Sequence, residues 1–178
     1  MKKTLSGFTL IELIVVIAIL GVIMSIAIPF YKDMINPARI VSEINLMTGS
    51  LQYARAQAIK EGQPVTVCIS TNGTSCGTGT SWKNGWIIFS DPNANAAVDA
   101  ADTILRKQSA FAGTDTFTSD NGVRSVTFNR EGFALGLPAN PVTMTIRDVT
   151  NKAKWTRCIS ISLIGQLTAQ STGTGNCT

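Results

Sequence analysis

Gly7-Phe8-Thr9-Leu10-Ile11-Glu12 opens the stretch that decides how the rest of this chain is read. From Leu13 to Phe30 only Ser25 is polar. With Phe8 to Ile11 in front, the run is long enough to cross a bilayer as a helix. Glu12 does not fit that setting. An ionised carboxylate inside an apolar span costs roughly 2.5–3.5 kcal/mol, so it implies a partner or a function. Lys2 and Lys3 precede the run, and the positive-inside tendency puts the N-terminus in the cytoplasm. A secretory signal has a shorter apolar core with a small-residue cleavage site after it. Here the small residue, Gly7, comes first. Cutting after Gly7 would leave the helix on the mature chain with Phe8 as a new charged terminus. That ammonium would lie about one helical turn from Glu12, because i and i+4 share a face. The carboxylate then has a counter-charge, its own or a neighbour's.

The 178 residues suffice for one anchor helix and one modest globular domain. The formal net charge is +4 and the sequence pI about 9.0. Removing residues 1–7 takes away Lys2 and Lys3 and leaves 13 basic against 11 acidic side chains, so much of the basic excess sits ahead of the cut. The absence of histidine excludes Ser-His-Asp and Cys-His catalysis and the common histidine metal sites. Cys68, Cys76, Cys158 and Cys177 all follow the apolar span. An even number outside the cytoplasm reads as disulfides; three pairings are open, of which Cys68–Cys76 with Cys158–Cys177 is the simplest. Zinc is the competing reading, and the spacing has no C-x-x-C knuckle.

Gly21 and Pro29 weaken the middle of the apolar helix, Pro29 by removing a hydrogen bond to Ser25. Pro37 marks a second kink or a fresh helix start. Beyond it, Ile40, Ile44, Met47, Leu51, Ala54 and Ala58 recur in steps of four and three, a one-sided stripe expected to be the central core element. Gly62 and Pro64 end the helix. The period then changes to two: Val65, Val67 and Ile69 alternate with Thr66, Cys68 and Ser70 as a half-buried strand. Trp86–Phe89 reads as a buried strand, Ile104 and Leu105 as a short one, and Asn121-Gly122 as a hairpin-type turn leading into Ser125–Phe128. Strands near Val142–Arg147 and Thr156–Leu163 join through a turn near Asn151. Residues 165–178 are small and polar, held by Cys177. One helix followed by many short strands gives an α+β class.

Lys2, Lys3, Gly7, Phe8, Thr9, Leu10, Ile11, Glu12 and Leu13 together resemble the type III signal and N-terminal helix of type IV pilins and type II secretion pseudopilins. The segments Ala54-Arg55-Ala56-Gln57-Ala58-Ile59, Cys68…Cys76…Trp82-Lys83-Asn84-Gly85-Trp86, Asp91-Pro92-Asn93, Leu105-Arg106, Val126-Thr127-Phe128…Gly132 and Cys158-Ile159-Ser160…Gly165 extend the likeness over nearly the whole chain, to the GspH/FimT subfamily of minor pilins and minor pseudopilins. The resemblance implies the type IV pilin fold: a long N-terminal helix, its first half transmembrane, packed on an antiparallel β domain. The divisions are then 1–7 (leader), 8–30 (membrane and assembly half of the helix), 31–62 (amphipathic half) and 63–178 (β domain). It also implies cleavage after Gly7 by a prepilin peptidase, N-methylation of Phe8, and pairing of Glu12 with the N-terminal amine of an adjacent pilin. The location implied is the inner membrane with the domain in the periplasm, and then the surface pilus.

Two further constellations carry possible chemistry. Asp91, Asn93, Asn95, Asp99 and Asp102 fall at positions 1, 3, 5, 9 and 12 of an EF-hand-like loop, but Ala96 replaces the turn glycine and Asp102 the longer bidentate glutamate. An Asx-rich turn is the expected reading, with no metal. Arg147, Lys152, Lys154 and Arg157, with Trp155 among them, form a basic cluster suited to phosphates and base stacking. Some FimT relatives are DNA-uptake receptors with Gly-Arg-x-Arg near the C-terminus; here the matching run is Gly165-Gln166-Leu167-Thr168, without either arginine. No cofactor and no enzyme are expected. The expected function is a minor pilin of the tip or priming complex, with a DNA-receptor pilin and a minor pseudopilin of type II secretion as alternatives.

Overall fold

The computed structural model describes residues 7–175 and Cys177. Lys2, Lys3 and the rest of the leader before Gly7 lie outside the described residues, as do the side chains of Pro29, Lys32 and Asp33. One helix, α1, runs over Leu10–Glu61. It divides between two compact units, Met1–Ala38 and Arg39–Thr178.

In the first unit α1 starts at a cap. The Glu12 amide donates to Thr9 Oγ1 at 3.3 Å, and the Leu13 amide to the Thr9 carbonyl at 3.2 Å. Thr9 thus satisfies one of the donors that a helix start leaves open. Leu10–Ile28 is a 19-residue apolar span, with a mean hydropathy of 2.9 and none of it buried within the chain. At 1.5 Å per residue it is about 28 Å long, close to the hydrocarbon thickness of a bilayer. Pro37 does not restart the helix. α1 continues through Pro29 and Pro37, because propagating past one missing bond costs less than nucleating a new helix.

In the second unit the stripe Ile40, Ile44, Met47, Leu51, Ala54 and Ala58 is buried, each residue at most 4 % exposed. Gly62, at φ 67°, ends α1 by donating its amide to the Ala58 carbonyl. Two antiparallel sheets follow. One holds β1 (Val65–Ile69), β2 (Gly85–Ser90), β3 (Ile104–Ser109), β5 (Ser125–Phe128) and β6 (Ala134–Leu135) in the order β3-β2-β1-β5-β6. The other holds β4 (Thr116–Ser119), β7 (Val142–Arg147), β8 (Arg157–Ile161) and β9 (Leu167–Ser171) in the order β4-β7-β8-β9. The α1 stripe, one face of β1, β2 and β5, and the apolar residues of β7 and β8 share one core.

Three expectations change. β1 is buried on both faces rather than one. Its second face is covered: Cys68 packs with Ile87 and Phe89 beneath Cys76, Val98 and Ile104, and the Thr66 hydroxyl is bonded to Asp91 and Thr127. Asn121 and Gly122 do turn the chain, at φ 56° and 63°, but the strands they join lie in different sheets. Local turn chemistry sets the bend, not the pairing. Residues 167–171 are a strand, β9, paired in register with β8 from Arg157↔Ser171 to Ile161↔Leu167. β4 and β6 have no sequence signature of their own, being short and partly polar.

The sheets also meet at a backbone junction. Ala134 donates its amide to the Leu163 carbonyl, and Arg55 on α1 donates to the carbonyls of Gly132 (3.0 Å) and Ile164 (3.4 Å). One guanidinium therefore clamps the turn after β5 and the turn after β8.

Candidate functional site

The N-terminal constellation is built by the cap. Glu12 falls in the first turn of α1, where the open amides and the helix dipole favour negative charge. Thr9-Leu10-Ile11-Glu12 has the spacing of a capping box, a signal that a reading of Glu12 as a lone charge passes over. Phe8 is 86 % exposed and lies ahead of the helix, which begins at Leu10. The i, i+4 relation between Phe8 and Glu12 is therefore not formed in the uncut chain. Gly7 precedes it with open space where a side chain would be.

At the start of the second unit is a buried charge cluster that the sequence did not reveal. Arg39 donates from Nε and Nη2 to the two oxygens of Asp115 at 2.6 and 2.8 Å. The Asp115 side chain is 2 % exposed and that of Arg39 33 %. One turn along α1, Glu43 is buried and its Oε2 has no hydrogen-bond partner. Burial, reinforced by the Asp115 charge and opposed by Arg39 and Lys83, pushes the Glu43 carboxyl up to about 7. A carboxyl raised on folding favours the native state while protonated; that advantage is lost as pH rises from the ordinary value of about 4.5 through 7. The expected result is a fall in stability on the order of 2 kcal/mol between pH 5 and 8. In Glu43→Gln thermal melts at the two pH values should nearly coincide; an undiminished difference would assign the slope to other groups.

The structure holds the local disulfide pairing, Cys68–Cys76 and Cys158–Cys177. The first closes the loop after β1 and the second ties the chain end to β8. The Asp91–Asp102 loop is knitted internally. Asp91 is fully buried and accepts from the amides of Asn95 and Ala96 and from Thr66 Oγ1. The side-chain Nδ2 groups of Asn93 and Asn95 donate to Asp99 Oδ2 and hold its carboxyl below the usual range. Ala96 takes φ 58° in place of a glycine. The five oxygen-bearing residues thus serve the turn, and among the described residues no three Cys, Asp or Glu side chains gather as a metal site.

The basic residues are brought to one end of the second sheet. Arg147 ends β7, Arg157 begins β8, and Lys152 and Lys154 lie on the connection between them. Trp155 is only 4 % exposed, with Lys152 Nζ and Lys154 Nζ at 4.3 and 4.9 Å from its ring centroid. Its ring is a plate under two cations, not a free face for stacking a base.

Comparison with known proteins agrees with this geometry. A family described as type II transport protein GspH matches residues 43–165, and the prokaryotic N-terminal methylation motif matches residues 3–28. The pilin-like protein PilA1 of Thermus thermophilus is 29 % identical over 175 residues, covering 92 % of this chain and 97 % of that protein. The type IV major fimbrial protein FimA of Dichelobacter nodosus is 38 % identical over 68 residues; the match spans 38 % of this chain and 43 % of FimA, less than half the relative's length. Among solved structures, the type IV minor pilin FimU of Pseudomonas aeruginosa has the same fold, with a TM-score of 0.59 at 23 % identity over 81 % of this chain and 95 % of FimU. With the GspH match alone covering more than half its length and a methylation motif ahead of a type IV pilin fold, the chain belongs to the GspH/FimT family of type IV pilin-like proteins.

Proposed function

We propose that the chain is a minor pilin that enters a type IV pilus at its tip or priming complex through its N-terminal helix. Prepilin peptidase cuts after Gly7 and Phe8 is N-methylated. The observation that carries this reading is the surface of Leu10–Ile28. Nineteen consecutive residues of α1 bury none of their apolar side chains in this chain. Such a surface is covered by lipid before assembly and by the helices of other pilins after it. Within it Glu12 is the one ionisable side chain. The capped helix start lowers the cost of its charge by a few tenths to about 1 kcal/mol, less than the insertion cost, so a cation from a neighbouring subunit completes the balance. The N-terminal amine exposed by cleavage is that cation. The same helix physics serves a secretion pseudopilus, the reading that the family's description as a type II transport protein favours.

In Glu12→Ala the membrane fraction and the fold should be unchanged, since removing a charge makes insertion easier. Incorporation should drop about tenfold or more, the loss expected for ~1.4 kcal/mol of pairing. Quantifying the variant in sheared surface filaments against the cell membrane checks this; normal incorporation would remove the pairing mechanism. The genes beside this one, pilus or secretion, separate the two assemblies.

A further inference from the structure

An asparagine followed by glycine is where a backbone amide most readily attacks a side-chain amide, because glycine has no Cβ to shield its nitrogen. The chain has three such pairs, Asn72-Gly73, Asn84-Gly85 and Asn121-Gly122. The reaction needs two freedoms. The asparagine side chain must swing round, and the glycine nitrogen must reach its Cγ. The fold withholds one or both at the first two pairs and leaves the third open.

Asn72 is tied down. Its Oδ1 accepts from Ser70 Oγ and from the amides of Thr74 and Ser75, and its Nδ2 donates to Ser75 Oγ. The Gly73 amide donates to Ser70 Oγ at 3.0 Å. Asn84 is exposed, but its glycine is not. Gly85 is buried at the start of β2 and donates its amide to the Trp82 carbonyl. A Cβ on it would lie 2.5 Å from the Gln108 carbonyl oxygen of β3, so its backbone is clamped. Asn121 and Gly122 are both exposed. They belong to a short turn, Asp120–Gly122, that has no side-chain cap and whose middle residue, Asn121, sits at φ 56° and ψ 18°. Among the described residues nothing hydrogen-bonds the Asn121 side chain. A Cβ built on Gly122 would meet only Thr80 Cγ2, at 3.6 Å. Such a turn reaches new geometries by local motion alone. The core does not hang on its tip, because the Val123 carbonyl that follows is held by Ser119 Oγ at 2.7 Å and by Trp82 Nε1 at 3.0 Å.

We propose that Asn121 is a site of self-modification. The Gly122 nitrogen attacks Asn121 Cγ, and the new N–C bond closes a succinimide ring. The Cγ–Nδ2 bond breaks, and Nδ2 leaves as ammonia with the proton that the Gly122 amide gives up. Water, the only co-reactant, then opens the ring at one of its two carbonyls and leaves an aspartyl or an isoaspartyl residue. Each event sets a second carboxylate beside Asp120. The full chain then carries 15 basic against 12 acidic side chains in place of 11, and its formal net charge falls from +4 to +3. The isoaspartyl product also adds one carbon to the backbone of the turn that leads from β4 in one sheet to β5 in the other. With Val123 pinned from both sides, the change stays at the surface, where it accumulates with the age of the subunit.

The test ages the full chain, in detergent micelles and mildly alkaline buffer, and follows all three pairs by peptide mass spectrometry. Conversion, a gain of one mass unit, should appear first at Asn121. It should run at least about tenfold faster there than at Asn72 or Asn84, where the side chain or the glycine must first give up its hydrogen bonds. The products at Asn121 should include isoaspartate, which only the ring can yield and which chromatography separates from aspartate. In urea the three rates should converge, since the reacting pair is the same and the fold alone separates them. Equal rates in the folded chain, or faster conversion at Asn72 or Asn84, would overturn the assignment. A difference that persists in urea would overturn it too, by assigning the selectivity to flanking residues. Aspartate without isoaspartate would overturn the ring mechanism. Asn121→Asp, which fixes one product, should melt with the parent, as a surface change outside the core does; a marked loss of stability would overturn the claim that the modification stays at the surface.

Discussion

Gly165→Ala should lower the stability of the folded domain by about 3 kcal/mol, one term from backbone strain and one from overlap. Gly165 sits at φ 73°, where an L side chain is strained. A Cβ built on it would lie 2.0 Å from the carbonyl oxygen of Gly132, a backbone atom of the other turn that cannot rotate aside. Gly132 is itself confined, with Ile59 Cδ1 2.9 Å from its own would-be Cβ. Arg55 holds both turns, so a shift in either breaks a charge-assisted hydrogen bond. Gly136 supplies the control. It has a similar φ of 66° but open space around it, so Gly136→Ala should cost only the strain, about 1 kcal/mol. Near-ultraviolet melts of the two variants separate the terms. Equal shifts would show that the approach of the two turns is not a close contact.

The second large effect is at the charge cluster, where the two partners should behave unequally. Asp115 is almost fully buried and Arg39 a third exposed. Arg39→Met leaves a carboxylate buried without its cation, beside Glu43, whose Oε2 already lacks a hydrogen-bond partner. The expected loss is about 3 kcal/mol. Asp115→Ala leaves a guanidinium that can reach water or turn to Glu43, one helical turn away, and should cost about half as much. The double variant should recover most of the Arg39→Met loss, because burying neither charge is cheaper than burying one. Chemical denaturation of the four proteins checks this; additive losses would mean that the pair is not coupled. The pair joins residues 76 apart, at the point where α1 enters the domain, so its loss should loosen that entry before it loosens the sheets.

How much of this was legible depends on the kind of signal. The helical stripe is legible residue by residue from Ile40 to Ala58, because a helix with one buried face leaves a period that composition cannot blur. The span was legible for a related reason: only a membrane or neighbouring subunits can cover such a run. Period two failed at β1, since cover on both faces removes the contrast that alternation measures. β9 was hidden by its composition; Leu167-Thr168-Ala169-Gln170-Ser171 looks like loop until its register with β8 is known. Asn121-Gly122 announced a bend without saying that its strands part into different sheets.

At the sites, Gly7, Phe8 and Glu12 stand out because charge and cleavage motifs are written locally, and the Thr9 cap is equally local, carried by the spacing from Thr9 to Glu12. The Arg39–Asp115–Glu43 cluster has no local trace. The two turn glycines, Gly132 and Gly165, marked likeness to a family in the sequence; their mutual approach is what gives them a physical reason.

The proposed function depends on the N-terminal helix being a processed assembly element. The most direct measurement is the mass of the first peptide of this chain recovered from sheared surface filaments of its native host. The account predicts a peptide beginning at Phe8 and carrying one added methyl group on its amine. A peptide that retains residues 1–7, or filaments from which the chain is absent while it accumulates in the membrane, would contradict it.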